Sequence, residues 1–454
     1  MFNDKDTIIA PATAVTGSGL VVLRVSGARS FAFLKSVFFP TDKSCNYQSH
    51  CLYHGKILDD NNQVVDEVMA VFMQPPRTYT TEEVVEIHCH GSRQIVRRII
   101  DLASTHSIRL AKPGEFTYRA YLNGRIDLIQ AESVSRLIQS SSELSRKAAL
   151  QHLDGLLSRK LYDLSSIIKS LLVQIEAWID FPEEDLPAED LTHITAVAID
   201  IYDQMSELLS TYRSGQHIHE GAVVALAGLP NAGKSSLMNA LLKQDRSIVS
   251  DLPGTTRDSI EQTTQLSGIN VRLVDTAGLR NSDDFIEQEG VRRALDIVNK
   301  ADLILLLVDG TEPVSDQFLE LLSEFSSLRV VLVVNKIDLS LSQNDFGFFH
   351  GSKVMVSAKS GSGIEELLQT ISSLLLDNYV PTSESPCITE RRHYEALLSA
   401  SSHMSRFVDN AELSDLDLLS IDLRSALDSL GAITGVVTTE AILDEIFSSF
   451  CIGK

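Results

Sequence analysis

Residues 228–235 read Gly-Leu-Pro-Asn-Ala-Gly-Lys-Ser and match the phosphate-binding pattern G-x-x-x-x-G-K-[ST]. In this pattern, backbone N–H groups of the glycine-rich loop surround the phosphates. The lysine neutralises the β- and γ-phosphates, and the serine hydroxyl binds Mg²⁺. The apolar run 223–227 predicts a buried strand before the loop, and residues 237–242 predict a helix after it. Lys234 and Ser235 are therefore predicted to bind a nucleoside triphosphate and its magnesium ion.

Two motifs further along could complete the magnesium site and sense the γ-phosphate. The loop 254–258 is polar and carries two threonines, and Asp275–Gly278 offers a carboxylate to Mg²⁺ and a backbone N–H to the γ-phosphate. Ras-like enzymes have a water-orienting glutamine after the second motif, but this chain has Leu279, which cannot orient water. Candidate sources of positive charge are Arg257, Arg280 and a monovalent cation held by Asn231.

The choice of base is predicted by two later motifs. Asn335–Asp338 reads Asn-Lys-Ile-Asp, and its final carboxylate can accept hydrogen bonds from both N1–H and the 2-amino group of guanine. Adenine offers no such pair of donors, so the motif predicts GTP rather than ATP. Ser357–Lys359 completes the set, with the Ala358 N–H available to guanine O6.

Composition limits the class of protein. The chain has 454 residues, 44 % of them apolar, and a formal net charge of −22; it is long enough for roughly two to four folded domains. Such acidity argues against binding RNA mainly through phosphates, so any RNA would meet a local basic patch or a partner's surface. Five scattered cysteines indicate a reducing cytoplasm rather than a disulfide framework. With no secretory signal and no apolar run of about 20 residues, we expect a cytoplasmic protein without a membrane segment.

One cluster could suggest a metal site. His88, Cys89 and His90 are consecutive, but residues 84–90 resemble a strand, where neighbouring side chains point to opposite faces. The alternative of ordinary strand positions is therefore favoured over a metal site.

The hydrophobic pattern predicts three kinds of structure. Residues 7–10, 20–25, 68–72 and 84–88 predict strands, with a helix over 93–105, and together they indicate a compact α+β domain. From Leu150 to Trp178 apolar residues recur at steps of three and four, which predicts one long helix, and a further helix is predicted over 191–212. A similar apolar face from Leu413 predicts a helix that stops at Gly431.

An α/β pattern separates the two helical stretches, so we expect one helical domain interrupted by an inserted α/β P-loop GTPase domain of Ras-like type. The expected boundaries are an N-terminal α+β domain at 1–118, helical parts at 119–218 and 379–454, and the GTPase domain at 219–378.

At these residues the chain resembles the MnmE family (also called TrmE), bacterial GTPases that modify the wobble uridine of tRNA. The resemblance runs the whole length, and the combination of the P-loop with a C-terminal Cys-x-Gly-Lys is highly specific. It rests on Asp6-Thr7-Ile8, Leu23–Gly27, His90-Gly91, Lys112–Phe116, Asp180–Pro182, Pro230–Ser236, Asp275–Arg280 and Phe447–Lys454.

The resemblance implies a K⁺-activated GTPase whose GTPase domains dimerise across the nucleotides. It implies Mg²⁺ ligands at Ser235 and Thr256, catalytic roles for Lys234 and for Glu287 as the water-orienting residue, and K⁺ ligands at Asn231, Ser250, Leu252 (through its carbonyl) and Thr255. Together with the motifs above, it gives the GTP contacts as Asn231, Ala232, Gly233, Lys234, Ser235, Ser236, Ser250, Thr255, Thr256, Asp275, Thr276, Ala277, Gly278, Asn335, Lys336, Asp338, Ser357, Ala358 and Lys359.

The resemblance also implies that the N-terminal domain dimerises and binds a tetrahydrofolate, as the 5,10-methylene or 5-formyl form. The matching folate contacts are Arg24, Glu86, Arg125 and Lys454, and Cys451 lies near the modification chemistry as a candidate catalytic residue. A homodimer would join the FAD-binding subunit MnmG in a heterotetramer that adds a (carboxymethyl)aminomethyl-type group to C5 of the wobble uridine.

Two other classes of GTPase compete with this interpretation. A ribosome-assembly GTPase of Era or Der type would share the nucleotide motifs, but should carry a basic RNA-binding appendage, whereas this chain is acidic. A membrane-associated or structural GTPase should show a lipidation signal or membrane segment, and the terminal lysine after Cys451 does not fit a prenylation signal.

Overall fold

A computed structural model describes residues 6–42, 44, 46–180, 188–244, 261–275, 300–325, 328–340, 346–377, 379, 385–411, 416–450 and 452–453. The chain divides into two compact units. The first comprises Met1–Ile138, His152–Glu184 and Asp415–Lys454, and the second comprises Gln139–Gln151 and Asp185–Ser414.

The strands and helices alternate in a pattern that changes along the chain. The described strands are β1 (Thr7–Pro11), β2 (Leu20–Ser26), β3 (Phe38–Pro40), β4 (Cys51–Leu58), β5 (Val64–Met73), β6 (Val84–His90), β7 (Ile108–Leu110), β8 (Ala222–Gly228), β9 (Glu261–Leu266), β10 (Ile269–Asp275), β11 (Leu303–Asp309), β12 (Val330–Asn335) and β13 (Ser352–Met355). The described helices are α1 (Ser30–Val37), α2 (Arg93–Thr105), α3 (Glu115–Leu122), α4 (Leu128–Gln139), α5 (Glu143–Leu153), α6 (Leu156–Asp180), α7 (Ala188–Ser210), α8 (Tyr212–Glu220), α9 (Lys234–Gln244), α10 (Asp316–Glu324), α11 (Ile364–Leu375), α12 (Arg391–Asn410), α13 (Leu416–Thr434) and α14 (Glu440–Ser448).

The first unit contains a seven-stranded sheet in the order β3-β4-β5-β6-β2-β1-β7. Its neighbours pair antiparallel except β1 with β7, and α1 and α2 pack on one face over an apolar core. The four predicted strands and the helix over 93–105 are confirmed. Strands β3, β4 and β7 were not predicted; β3 and β7 have three residues each, which are too few to show a period of two.

The helical pattern of the first unit is confirmed in its core and corrected at its ends. The apolar stripe of α6 is buried at Leu157, Leu161, Leu164, Ile168, Leu171 and Ile175, and α6 packs against α13. The prediction that this helix begins at Leu150 is wrong: Gly155 has a φ of +77° and separates α5 from α6.

The predicted helix stop at Gly431 is also wrong. Helix α13 continues to Thr434, and the glycine that ends it is Gly435, with a φ of +90°. Gly431 serves packing instead, because a Cβ there would lie 3.0 Å from Val437 Cγ2.

The second unit contains a six-stranded sheet in the order β13-β12-β11-β8-β10-β9, parallel except for the β9–β10 pair. Apolar cores lie on both faces, with α9 and α11 contributing to one and α10 to the other. The predicted strands at 223–227, 271–274, 303–308 and 331–334 are confirmed as β8, β10, β11 and β12. The helix predicted over 191–212 is α7, and it packs against α12.

The expected fold class is confirmed: an α+β N-terminal part, helices, and an α/β P-loop sheet inserted between them. In each unit, a helix that precedes the inserted sheet packs against one that follows it. None of the described helices combines the length and apolar composition that crossing a bilayer requires.

Candidate functional site

Polar residues follow four parallel strands of the six-stranded sheet at one edge. Strand β8 ends at Gly228, β10 at Asp275, β11 at Asp309 and β12 at Asn335. Residues 275 and 226 are register partners, as are 309 and 335. Because parallel strands present their carboxyl ends at the same edge, ligands of such sheets bind there.

The P-loop connects β8 to α9 through residues with left-handed backbone. Gly228, Asn231 and Gly233 have φ values of +146°, +61° and +95°. Lys234 is only 8 % exposed, and its Nζ donates hydrogen bonds to the carbonyls of Gly228 (2.8 Å) and Leu229 (3.0 Å). The lysine charge is therefore held beneath the loop whose N–H groups would surround phosphates.

The predicted magnesium ligand and the carboxylate after β10 lie next to each other. Ser235 Oγ donates a hydrogen bond to Asp275 Oδ2 at 3.3 Å, and Ser235 is exposed at the start of α9. Hydroxyl and carboxylate oxygens are the hard ligands that Mg²⁺ prefers. The pair therefore fits a magnesium ion bound directly or through water.

Asn335 connects the P-loop to the guanine motif. It is 2 % exposed; its Nδ2 donates to the Ala232 carbonyl at 2.8 Å, and its Oδ1 accepts from the Ala358 N–H at 3.1 Å. A side chain on Gly233 would collide with Asn335 Nδ2, which explains the glycine there. Both the oxygen and the nitrogen of the Asn335 side-chain amide are therefore hydrogen-bonded within the protein. The Ala358 N–H, which was predicted to reach guanine O6, is hydrogen-bonded to Asn335.

Asn335→Ala is expected to destabilise the second unit by about 2–3 kcal/mol, because it leaves the buried Ala232 carbonyl and the half-buried Ala358 N–H without their partner. GTP affinity should fall as well, because Asn335 no longer fixes the distance between the P-loop at Ala232 and the loop at Ala358. Thermal unfolding and a fluorescent GTP titration would measure the two effects. The control is Asn239→Ala, an exposed asparagine on α9. Equal loss in both variants would exclude the connecting role of Asn335.

Asp338, whose carboxylate is predicted to bind guanine, is hydrogen-bonded to a buried serine. Ser357 is fully buried, and its Oγ donates to Asp338 Oδ1 at 2.7 Å. This hydrogen bond, reinforced by the nearby Lys359, holds the pKa of Asp338 below its ordinary value. Asp338 is therefore a carboxylate at neutral pH, with a second oxygen available to accept from a base.

Asp309, the last residue of β11, lies at the same edge of the sheet and was not among the residues predicted from the motifs. Lys336 has a φ of +68°, and its Nζ contacts Asp309 Oδ2 at 2.5 Å. Burial raises the pKa of Asp309, but hydrogen bonds from Lys336 and Thr311 outweigh it and hold the pKa below its ordinary value. The available signal was its place as the first acidic residue after the buried run 303–308.

The structure brings several predicted site residues together and does not describe others. Asn231 and Ser236 are exposed, whereas Ala232 is buried in the P-loop. The predicted residues that lie outside the described part of the chain are Ser250, Leu252, Thr255, Thr256, Thr276, Ala277, Gly278, Glu287, Cys451 and Lys454, together with Arg257, Leu279 and Arg280.

The predicted folate residues Arg24 and Glu86 pair with each other across the seven-stranded sheet. They are register partners on β2 and β6, and Arg24 Nε donates to Glu86 Oε1 at 2.9 Å. The Arg24 guanidinium lies 5.1 Å from the Tyr79 ring centroid and 5.9 Å from that of Phe116. Arg125 lies over the same tyrosine, 4.9 Å from the centroid, and donates to the Tyr79 carbonyl at 2.6 Å. Two arginines, a carboxylate and an aromatic ring thus converge at one place.

The carboxylate of this group stays ionised. His88 lies 3.7 Å from Glu86 Oε2, and it and Arg24 together hold the pKa of Glu86 below its ordinary value despite burial. An ionised carboxylate beside planar cations suits the amidine-like edge of a pterin, whose N–H groups donate in parallel.

The prediction that His88, Cys89 and His90 lie on a strand agrees with the structure, because all three belong to β6. Cys89 is buried on the core face, where burial raises the pKa of its thiol to about 11, and His90 Nδ1 lies 2.8 Å from Asp66 Oδ1. Within the described ranges, no group of three or more His, Cys, Asp or Glu residues is placed to hold a metal ion.

Comparison with known families covers almost the whole chain. Residues 7–125 match the model of the GTP-binding protein TrmE N-terminus, and residues 128–451 match that of the MnmE helical domain. The second match spans most of the chain.

Two similar proteins match over almost the whole of both chains. A protein from Syntrophotalea carbinolica, described as tRNA modification GTPase MnmE, is 43 % identical over 457 residues, covering 100 % of both chains. One from Geobacter metallireducens with the same description is 39 % identical over 454 residues, covering 99 % of each. Among solved structures, the G domain of the T. maritima FeoB iron transporter is 30 % identical, covering 34 % of this chain and 98 % of that one, with a TM-score of 0.26.

Proposed function

This chain belongs to the MnmE family of tRNA modification GTPases, and we propose that its GTP hydrolysis is activated by K⁺ and drives modification of C5 of the tRNA wobble uridine. It is a GTP-hydrolysing enzyme. The main support for the site is the convergence of the phosphate, magnesium and guanine motifs on one edge of the six-stranded sheet.

Each group at this edge has a distinct task in hydrolysis. Lys234 neutralises charge that develops on the β- and γ-phosphates as water attacks the γ-phosphorus and the bond to the bridging oxygen breaks. Ser235 and Thr256 would bind Mg²⁺, with the Asp275 carboxylate beside Ser235, and the ion would shield the phosphate oxygens. Asp338 fixes the guanine base, so the phosphates arrive in a constant position.

Resemblance to the MnmE family supports two further assignments: the residue that positions the attacking water and the cation that supplies the remaining positive charge. We propose that Glu287 orients the attacking water, since Leu279 cannot. Asn231, Ser250, Leu252 and Thr255 are proposed to hold K⁺. Asn231 supports this assignment because it is an exposed amide in the P-loop, beside the position of the phosphates.

GTP turnover by the full-length chain is expected to be faster in KCl than in NaCl at equal ionic strength. The stimulation should reach on the order of tenfold or more, because a cation at the transferring phosphate substitutes for an arginine finger. Steady-state phosphate release measures it, and Asn231→Ala should remove most of the difference between the salts. Equal, slow rates in both salts would reject K⁺ activation for this chain.

The N-terminal sheet is proposed to bind 5,10-methylene- or 5-formyl-tetrahydrofolate at Arg24, Glu86, Arg125 and Lys454. The pairing of Arg24 with Glu86 and the shared contact of both arginines with Tyr79 support one site. Folate supplies a one-carbon unit when bound. Glu86 would accept N–H groups of the pterin, Tyr79 would stack on it, and a second cation would meet the glutamate carboxylates.

The proposed partners and organisation follow the family. The chain would form a homodimer, join MnmG in a heterotetramer and act on tRNA in the cytoplasm, with Cys451 near the modification chemistry. The net charge of −22 favours RNA docking on a local patch or on MnmG. We also propose the domain boundaries 1–118, 119–218, 219–378 and 379–454.

The ribosome-assembly alternative is less favoured. The chain matches tRNA modification GTPases over its whole length, and its N-terminal part matches the TrmE N-terminus model, which a GTPase of Era or Der type does not require.

A further inference from the structure

The C-terminal helix α14 docks on α3, which follows the seven-stranded sheet in the same compact unit. Phe447 is fully buried there, in edge-to-face contact with Tyr118 at a centroid distance of 5.2 Å. Phe450 adds a second ring 5.5 Å from Phe447, and both pack with Leu128. Two buried aromatic rings make this a fixed contact rather than a loose one.

The docking depends on a glycine at the start of α3. Gly114 has a φ of +68°, and a Cβ there would lie 2.5 Å from the Phe447 carbonyl oxygen and 3.1 Å from Phe447 Cβ. Both the backbone conformation and the contact exclude a side chain. The Tyr121 hydroxyl adds a second anchor by donating to the Gly435 carbonyl at 2.8 Å.

The last described residues of the chain lie against the sheet. Gly453 is buried with a φ of +95°, and a Cβ there would collide with the Pro11 carbonyl. On β1, Pro11 follows Ala10, which is the register partner of Arg24 on β2. The docked chain end therefore lies one strand away from the Arg24–Glu86 pair, since adjacent strands are about 4.8 Å apart.

We propose that Gly114 is a positioning residue for the site at Arg24 and Glu86. By admitting the Phe447 carbonyl, it fixes α14 on α3, and this holds the chain end against β1 as one wall of that site. The inference rests on the proposed folate function. It assigns the Gly114 turn a role in ligand binding, beyond stabilising the fold.

Gly114→Ala and Gly124→Ala form a matched pair of variants in the full-length chain. Gly124 follows the same helix and has a nearly equal φ of +69°, but nothing lies within 4 Å of a Cβ there. Both substitutions strain the backbone alike, so the Phe447 contact is the difference between them.

Three readouts separate the possible roles. Hydrogen exchange over Glu440–Ser448 should be about tenfold or more faster in Gly114→Ala than in Gly124→Ala, since undocking exposes α14. The Kd for 5-formyltetrahydrofolate should rise by roughly tenfold to a hundredfold, because a displacement of about 1 Å is costly at a binding site. GTP turnover should match the wild type, since the nucleotide residues lie in the second unit.

The outcomes distinguish the two proposals. If the wild type binds 5-formyltetrahydrofolate and Gly114→Ala binds it equally well, the positioning role is overturned and the folate function stands. If the wild type does not bind it, the folate function fails and this role fails with it. Should Gly114→Ala not fold, Tyr121→Phe, which removes only the hydrogen bond to Gly435, must weaken folate binding relative to Gly124→Ala for the proposal to survive.

Discussion

Asp338→Asn is expected to weaken GTP binding by about a hundredfold and to allow xanthosine triphosphate to bind instead. We propose that this carboxylate accepts two hydrogen bonds from guanine, and a hydrogen bond to a charged group contributes about 1.5–3 kcal/mol. An asparagine amide keeps one acceptor but presents N–H donors to the 2-amino group. Xanthine carries a carbonyl at that position, which accepts from the same N–H.

Titration with fluorescent GTP and XTP analogues would measure this exchange of specificity. Ser357→Ala is the matched control: it removes the 2.7 Å hydrogen bond to Asp338 but keeps the carboxylate. That variant should bind GTP more weakly without gaining affinity for XTP. An unchanged ratio of GTP to XTP affinity in Asp338→Asn would mean that this carboxylate does not contact the base.

Arg119→Met is expected to destabilise the N-terminal sheet by about 3 kcal/mol, near the lower end for breaking a buried ion pair. Arg119 is 2 % exposed, and its guanidinium contacts Asp6 at 2.8 Å, Glu82 at 3.2 Å and Glu115 at 3.3 Å. Methionine fills similar space but removes one of the two arginines that pair with the fully buried Glu115 carboxylate. Arg109 still pairs with Asp6 and Glu115, which limits the loss.

Hydrogen exchange of β1 and β2 in the full-length chain would report this loss. The control Arg97→Met removes an arginine whose side chain is 85 % exposed and lies as far as 3.9 Å from its partner Asp101. This substitution should lower the free energy of unfolding by less than about 0.5 kcal/mol. Equal exchange in Arg119→Met and the wild type would show that the network adds no stability.

The same network predicts how stability changes with pH. Burial raises the pKa values of Asp6 and Glu115, but hydrogen bonds from Arg109 outweigh it and hold both below their ordinary values of 3.8 and 4.5. A carboxyl whose pKa is lower when folded stabilises the fold above its unfolded pKa, and that stability is lost as pH falls through the folded value. The contribution of this network to stability should therefore be fully present above about pH 5 and be lost below it, and Arg119→Met should show a shallower fall.

Local patterns were enough to predict a nucleotide site and most of the sheet that positions its residues. The P-loop, Asp275 and the motif ending in Asp338 are short runs, each attached to a buried strand whose apolar composition is visible in the sequence. Parallel strands present their carboxyl ends at one edge, so the order of motifs predicts that they meet. The apolar face of α6 could also be predicted from the sequence, because its apolar residues repeat at helical spacing.

Contacts between distant parts of the chain required the tertiary structure. Arg24 and Glu86 are 62 positions apart, and only the β2–β6 register makes them partners rather than two separate ligand groups. Gly431 resembles a helix stop locally, yet Val437 packs where its side chain would be. Gly114 is needed for a carbonyl that arrives from the far end of the chain. Such requirements come from close packing between segments, which leaves no periodic signal in either segment alone.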